Sequence, residues 1–263
     1  MYQSLNLPLE LSQDIVRHNQ LKPFKVYVAL KFLYSGQVRR SAIDWQKVSD
    51  LTGYKDQRTI HTHLETCLSL NWIGTDGTWL FIRSFDRLRK DNQAQGRSAI
   101  EISQNDIPTL LELLLGAKIV HRHRAKRYAM KIPNAEPTPE PYSDFNDQPI
   151  NYGSLKVSCS LIGDWFNFSP STATRLKQRA KKKGYLDYIH DYVNTGLHKL
   201  NLPDLCDQIE STRLFIKRGK ICIRLTDQFL ITNDHHIYKF STRCSVWITN
   251  SAIKRIPSRG FNW

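Results

Sequence analysis

The sequence predicts a helix-rich α+β protein made of two similar domains, and three observations support this. Apolar residues recur at helical spacing in both halves of the chain. An Asp-Gly pair at 76–77 separates two runs typical of β-strands, and five of the eleven prolines fall within 133–149. A chain of 263 residues is long enough for about two domains. We place them at 1–132 and 153–263, joined by an acidic, proline-rich linker at 133–152.

The first domain is predicted to begin with three helices. An amphipathic helix is expected over 23–34. A second helix is expected over 44–51, with Asp44 as its N-cap and a stop near Gly53. A third helix is expected over about 57–70, where apolar residues recur at helical spacing along one side.

A β-hairpin is predicted directly after these helices. Residues 71–82 contain two short aromatic and β-branched runs around Asp76-Gly77, and an Asp-Gly pair between such runs is a strong hairpin signal. Three helices followed by a hairpin is the element order of a winged helix, that is, a helix-turn-helix with a β-hairpin. The first domain is therefore predicted to have this fold.

The second domain repeats that order, which indicates an internal duplication. A helix is expected within 157–166, a turn over 167–169 and a third helix after it. Ser169 is a suitable N-cap, Pro170 suits the first helical position, and Gly184 provides the stop. Two tandem winged-helix domains joined by the linker are thus the predicted architecture.

The third helix of the second domain is strongly basic. Between Arg175 and Lys183, six of nine residues are basic and none is acidic, so the opposite-charge pairs that usually support a solvated helix are absent. The whole chain has 38 Lys and Arg against 24 Asp and Glu, a net charge of +14. A solvated face is the plain alternative, but this excess favours a polyanionic partner such as nucleic acid.

Other function classes find little support in the sequence. No apolar run approaches the ~20 residues of a membrane-spanning helix, and the first residues lack the features of a secretory signal, so we expect a cytoplasmic protein without a membrane partner. The five cysteines form no Cys-x-x-Cys pair, and Cys222, His235, His236 and Cys244 match no zinc-site spacing. No cofactor, metal, small-molecule substrate or catalytic residue is expected, and the chain is not predicted to be an enzyme.

The remaining segments leave alternatives open. A strand is expected over 98–102 and a helix over 107–126, whose basic end either follows a phosphate backbone or complements the helix dipole. The acidic linker is either simply solvated or competes with DNA for a basic face. Strand-like runs that either extend the second wing or form an oligomer contact lie at 213–217, 221–225, 229–232 and 237–240.

A known family carries similar motifs. The segments Phe-Ser-Pro-Ser-Thr-Ala-Thr-Arg-Leu at 168–176 and Lys-Lys-Gly-Tyr-Leu at 182–186 resemble the helix-turn-helix and wing start of bacterial winged-helix regulators. Two such domains in one chain resemble the replication initiators of plasmids and phages, including replisome organisers. The resemblance implies sequence-specific binding of double-stranded DNA, with the third helix in the major groove. A replication initiator of a plasmid, phage or other mobile element is the expected role, and a transcriptional regulator is the alternative.

The resemblance also implies which residues contact DNA. The expected base-reading residues are Ser171, Thr172, Arg175 and Arg179 in the second domain and Arg58, His61 and Thr62, with Glu65, in the first. The expected phosphate-binding residues of the basic third helix are Lys177, Lys181, Lys182 and Lys183. Apart from the resemblance, the basic end of the helix over 107–126 offers Arg122, Arg124, Lys126 and Arg127 to phosphates, the alternative being that these residues complement the helix dipole. Because the third helix of the first domain is nearly neutral, that domain is alternatively a homodimer contact, as is the C-terminal extension.

A DNA nickase is a further alternative, which the residues disfavour. His61-Thr62-His63 and His121-Arg122-His123 are similar to the His-U-His metal site of rolling-circle initiators, and Tyr188 and Tyr192 are spaced like their paired nucleophiles. In that site, however, U is an apolar residue on a buried strand. Both histidine pairs here enclose a polar residue and fall on predicted helices, where alternate residues point in different directions.

Overall fold

The structure, a computed structural model, describes residues 4–94, 98–131, 153–189, 192–198, 214–217, 220–224 and 227–231. These residues form an α+β fold rich in helix with small antiparallel sheets, which confirms the predicted fold class. The predicted linker at 133–152 lies outside the described residues, as do the zinc candidates His235, His236 and Cys244 and the strand expected at 237–240.

Five α-helices and five strands make up the described N-terminal part. The helices are α1 (Leu9–Arg17), α2 (Leu21–Leu33), α3 (Trp45–Thr52), α4 (Gln57–Ser69) and α5 (Phe85–Asp91). The strands are β1 (Leu5–Pro8), β2 (Gln37–Arg39), β3 (Ile73–Thr75), β4 (Trp79–Ile82) and β5 (Ala99–Ile102).

The described C-terminal part has three more helices and six more strands. The helices are α6 (Leu110–Lys131), α7 (Cys159–Phe166) and α8 (Pro170–Lys182). The strands are β6 (Gly153–Lys156), β7 (Asp187–Ile189), β8 (Tyr192–His198), β9 (Leu214–Lys217), β10 (Lys220–Arg224) and β11 (Gln228–Ile231).

The two parts repeat one arrangement of six elements. In the first repeat the order is α2-β2-α3-α4-β3-β4, and the sheet order is β2-β4-β3. In the second repeat the order is α6-β6-α7-α8-β7-β11, and the sheet order is β6-β11-β7. In both sheets the last strand of the repeat lies between the other two. Helices α3 and α7 have 8 residues each, and α4 and α8 have 13 each.

The same local signals delimit the paired helices. Asp44 caps α3 by accepting a hydrogen bond from the Lys47 N–H at 3.0 Å, and Ser169 caps α8 by accepting one from the Thr172 N–H at 3.3 Å. Past their C-terminal ends, Gly53 and Gly184 have φ angles of 75° and 76°, which suit glycine. The helix bounds predicted from these residues are confirmed within two residues for α3 and α4 and at the start of α8.

Helix α2 differs from its prediction. Its side chains are buried on nearly every side, including Phe24, Val26, Tyr27, Val28, Ala29, Leu30 and Phe32. The expectation of an amphipathic helix is therefore wrong, because α2 is the central helix around which its neighbours pack. Strand β1 and helices α1 and α5 were not predicted. Strand β1 pairs with the predicted strand β5 in a separate two-stranded sheet.

Strand β11, which covers most of the run predicted at 229–232, completes the sheet of the second repeat, because it pairs with both β6 and β7. The runs predicted near 213–217 and 221–225 form β9 and β10, which pair with β8 in a separate sheet. This sheet is inserted between β7 and β11 in the chain. The second repeat therefore has the sheet arrangement of the first, with a large insertion where the first has the short Asp76-Gly77 turn.

One buried apolar cluster runs through both repeats. Helix α6 packs against α8, and α1 packs against α7. The sequence-based division places α6 on the N-terminal side of the linker, although α6 is the first helix of the second repeat. The N-terminal and C-terminal parts of the chain are therefore joined by packing as well as by sequence. No helix of the described residues is both long and apolar enough to cross a membrane.

Candidate nucleic-acid interface

Helix α8 has one side in the core. Ala173, Leu176 and Ala180 are buried, which confirms the predicted apolar stripe, and Lys177 is buried with them. Residues at i, i+3, i+4 and i+7 share a helix face, so these four side chains define the side on which α8 packs against α6 and α7.

The opposite side of α8 is its outward face, formed by Ser171, Arg175, Gln178 and Lys182. All four residues are exposed and follow the same helical spacing. Among the described residues, Arg175, Gln178 and Lys182 have no hydrogen-bond or ion-pair partner from another side chain. The outward face therefore offers a guanidinium, an amide, an ammonium and a hydroxyl group that are all accessible.

Lys177 contradicts its predicted role in phosphate binding. Its side chain is only 3% exposed and forms an ion pair with Asp227, which immediately precedes β11. The ammonium group also lies 4.4 Å from the centroid of the Tyr188 ring. Lys177 therefore joins α8 to the sheet of the second repeat and is not available to a phosphate group.

Two further cations of α8 are held by carboxylates. The Arg179 Nε donates to Glu112 Oε1 of α6 at 2.9 Å, although the arginine side chain remains 57% exposed. Lys181 Nζ lies 2.6 Å from Asp187 Oδ1 and donates to the Tyr188 carbonyl oxygen at 2.9 Å. Arg179 lies on the flank that faces α6, so its predicted base contact competes with an existing ion pair.

Three of the basic residues that are predicted to contact DNA from α8 and its C-terminal end have no acidic partner among the described side chains. These are Arg175, Lys182 and Lys183, all of them exposed. Thr172, a predicted base reader, is half-buried and accepts a hydrogen bond from the Ser169 hydroxyl group at 3.0 Å, so it supports the helix cap. The basic character of α8 is thus concentrated at its outward face and its C-terminal end.

The predicted basic end of α6 is partly engaged within the protein. The guanidinium of Arg122 lies 5.7 Å from the centroid of the Trp165 ring of α7. Burial, with the nearby Lys118 and Arg124 charges, lowers the pKa of His121 to about 4. Arg124 is half-buried, and the side chains of Lys126 and Arg127 lie outside the described residues.

Helix α4 presents a nearly neutral outward face. Arg58, Thr62 and Glu65 are exposed along it, at positions equivalent to Ser171, Arg175 and Gln178 of α8. The Glu65 carboxylate lies 3.4 Å from a guanidinium nitrogen of Arg40. His61 lies on the flank, with its ring 4.7 Å from that of Trp45 of α3. The first repeat therefore lacks the concentration of positive charge found on α8.

The residues that suggested a nickase lie apart in the fold. The His63 ring packs 5.3 Å from that of Tyr54, whereas His61 packs against Trp45, so the two histidines point in different directions. Tyr188 is buried against Phe229 of β11, with 5.6 Å between the ring centroids. No group of three metal-binding side chains occurs among the residues that the structure describes.

Sequence reasoning missed Gln178 and the two acidic partners of α8 that lie far from it in the sequence. Gln178 was available from the helix periodicity, because it lies three residues after Arg175 and opposite the apolar stripe. Asp227 and Glu112 were not available in this way, because their contacts with α8 join distant parts of the chain.

Comparison of the chain with protein-family models, with curated proteins and with solved structures gives no significant match.

Proposed function

We propose that this chain is a sequence-specific, double-stranded DNA-binding protein and, within that class, a replication initiator of a plasmid, phage or other mobile element. The observation that carries the proposal is the outward face of α8, with Ser171, Arg175, Gln178 and Lys182 exposed on a rigid helix. An α-helix fits the major groove of B-form DNA, where side chains of these types reach base edges and phosphates.

The surroundings of α8 support this proposal. In each repeat, a helix-turn-helix is followed by strands that join a three-stranded sheet, the element order of a winged helix. In such an arrangement the second helix of the pair enters the major groove, and the sheet lies beside the adjacent backbone. We infer that α8 is the principal reading helix, with β7 and β11 as the base of its wing.

The side-chain chemistry divides the proposed contacts into two kinds. Arg175 has the fork geometry that pairs with the O6 and N7 atoms of guanine, whereas Ser171 suits a phosphate or several base edges. Lys182 and Lys183 lie at the C-terminal end of α8 and bind phosphates without sequence preference. The net charge of +14 adds long-range attraction to the duplex.

The repeated arrangement favours an initiator over the alternative, a transcriptional regulator. One chain carries two unlike helix-turn-helix units within a continuous core, so a single copy is asymmetric. Because the symmetry of a binding site mirrors that of the protein, we expect directly repeated sites rather than a palindrome.

Duplex binding is tested by measuring dissociation constants for DNA from the genetic neighbourhood of this sequence, at several salt concentrations. We expect Arg175→Ala to weaken binding by about 1–3 kcal/mol and relax sequence preference, and Lys182→Ala to weaken binding to all sequences alike. Each lost phosphate contact reduces the slope of log K against log salt by about 0.9.

Lys90→Ala is the matched control, because Lys90 is an exposed lysine on α5, away from α8. Unchanged binding in both α8 variants would refute the proposed interface. Footprinting on the flanking DNA then separates the two roles, since protected direct repeats support an initiator and a palindrome beside a promoter supports a regulator.

A further inference from the structure

Gln178 stands out as an uncharged polar residue on the accessible side of α8. It is exposed, lies on the outward face one turn beyond Arg175, and has no side-chain partner among the described residues. The basic residues on either side of it in the helix, Lys177 and Arg179, are both committed to carboxylates of the protein. We propose that Gln178 determines sequence specificity by reading an adenine beside a guanine that Arg175 reads.

The first observation that supports this role of Gln178 is the orientation of α8 about its own axis. The helix is held in the fold by the buried Lys177–Asp227 pair on its inner side and by the Arg179–Glu112 pair on one flank. Lys181 is held by Asp187 on the other flank. These contacts fix the rotation of α8 about its axis, so the centre of the accessible surface lies between Arg175 and Gln178.

The second observation is the hydrogen-bonding chemistry of the Gln178 amide group. A glutamine side chain has one acceptor oxygen and one NH₂ donor, which match the N6 donor and N7 acceptor of adenine in the major groove. Lysine and arginine lack an acceptor and cannot make this pair. Gln178 is thus suited to prefer adenine over guanine. The basic residues of α8 have only donors and therefore have the opposite preference.

The third observation is the spacing of Arg175 and Gln178 along the helix. Residues three apart in an α-helix are separated by about 4.5 Å along its axis, and successive base pairs are about 3.4 Å apart. Arg175 and Gln178 therefore reach neighbouring base pairs when α8 follows the groove. The expected binding site contains a guanine and an adenine at adjacent positions.

This inference rests on the proposed function and is tested with the full chain by selecting bound duplexes from a randomised DNA pool. The wild type is compared with Gln178→Ala, Gln178→Glu and Lys183→Ala. We expect Gln178→Ala to lose the adenine preference at one base pair, by roughly tenfold, and to keep the guanine preference. We expect Gln178→Glu to shift that position towards cytosine, whose N4 donor suits a carboxylate. Lys183→Ala should weaken binding without changing the selected motif.

The outcomes separate the inference from the function on which it rests. A Gln178→Ala protein that selects the wild-type motif with wild-type preference would overturn the role of Gln178 and leave duplex binding intact. A wild-type protein that selects no duplex sequence would overturn the proposed function itself. Because Gln178 is exposed, thermal unfolding of each variant should match the wild type, which excludes misfolding as the cause of a changed motif.

Discussion

Lys177 is the residue whose environment most changes the interpretation of α8. It occupies the position that Leu64 occupies in α4, facing the core of its repeat. Asp227 neutralises its charge and is itself only 6% exposed. Breaking a buried pair by removing one partner leaves an uncompensated charge in the interior, whereas replacing both partners with apolar groups is often neutral.

We therefore expect Lys177→Ala to lower the free energy of unfolding by about 3–5 kcal/mol, because the buried Asp227 carboxylate would lose its ion pair with Lys177. The double variant Lys177→Met with Asp227→Leu should recover most of that loss. Urea unfolding measures the free energy of unfolding of the single and the double variant. Lys182→Ala is the control, since an exposed lysine on the same helix should change stability by less than about 0.5 kcal/mol. Equal effects of Lys177→Ala and Lys182→Ala would show that the buried pair does not stabilise the fold.

At the scale of elements, the α7–α8 turn depends on a close backbone approach. The Phe168 N–H donates to the Gly163 carbonyl oxygen at 3.0 Å. A Cβ atom at Gly163 would lie only 2.5 Å from the Phe168 carbonyl oxygen, and this backbone atom cannot move without changing the turn. The angle between α7 and α8, and with it the position of the outward face, therefore requires glycine at 163.

We expect Gly163→Ala to destabilise the protein by about 1–3 kcal/mol, as overpacking of a close-packed interior does. The gain in helix propensity from glycine to alanine, about 1 kcal/mol, offsets only part of the clash. Thermal unfolding of Gly163→Ala is compared with that of Ser160→Ala, which alters an exposed position of the same helix. A Gly163→Ala protein as stable as Ser160→Ala would show that the turn relaxes without cost.

The elements that were predicted correctly carry their signals locally. Each of the helices α3, α4 and α8 has a capping side chain at its start and apolar residues at helical spacing. Both signals lie within a segment of about twenty residues. Strand β1 was missed because its stabilising partner β5 lies far along the chain, and four residues carry too little pattern to predict a strand. Helix α2 was misread as amphipathic because its burial depends on the elements around it.

The candidate interface was predictable to the same extent. Ser171, Arg175 and Lys182 follow from periodicity and residue type, and the structure leaves them exposed. The ion pair between Lys177 and Asp227 was not predictable. Asp227 lies 50 residues further along the chain and comes close to α8 only because β11 pairs with β7. A count of basic residues therefore overstates the phosphate-binding charge of α8.

At the scale of the whole molecule, helix α1 of the N-terminal part is joined to the second repeat by specific polar contacts as well as by packing. The Trp165 carbonyl oxygen accepts hydrogen bonds from Gln13 Nε2 at 2.8 Å and from Arg17 Nε at 2.9 Å. Arg17 also donates to the Asp164 carbonyl oxygen at 3.2 Å. These contacts join α1 to the C-terminal end of α7, so α1 helps to set the position of α7 relative to the N-terminal part.

We expect the chain to remain associated when it is cut within 133–152, because α6 lies on the N-terminal side of the cut and packs against α8 on the other side. A protease site introduced into this segment, followed by gel filtration, tests this. The cut protein should elute at the volume of the intact chain, and Arg17→Ala should weaken the association of the fragments by about 1.5–3 kcal/mol through the loss of charged hydrogen bonds. His18→Ala, an exposed change on the next residue, should leave that association unchanged. Separation of the wild-type fragments at micromolar concentration would show that the packing of α1 and α6 against α7 and α8 does not hold the two parts of the chain together.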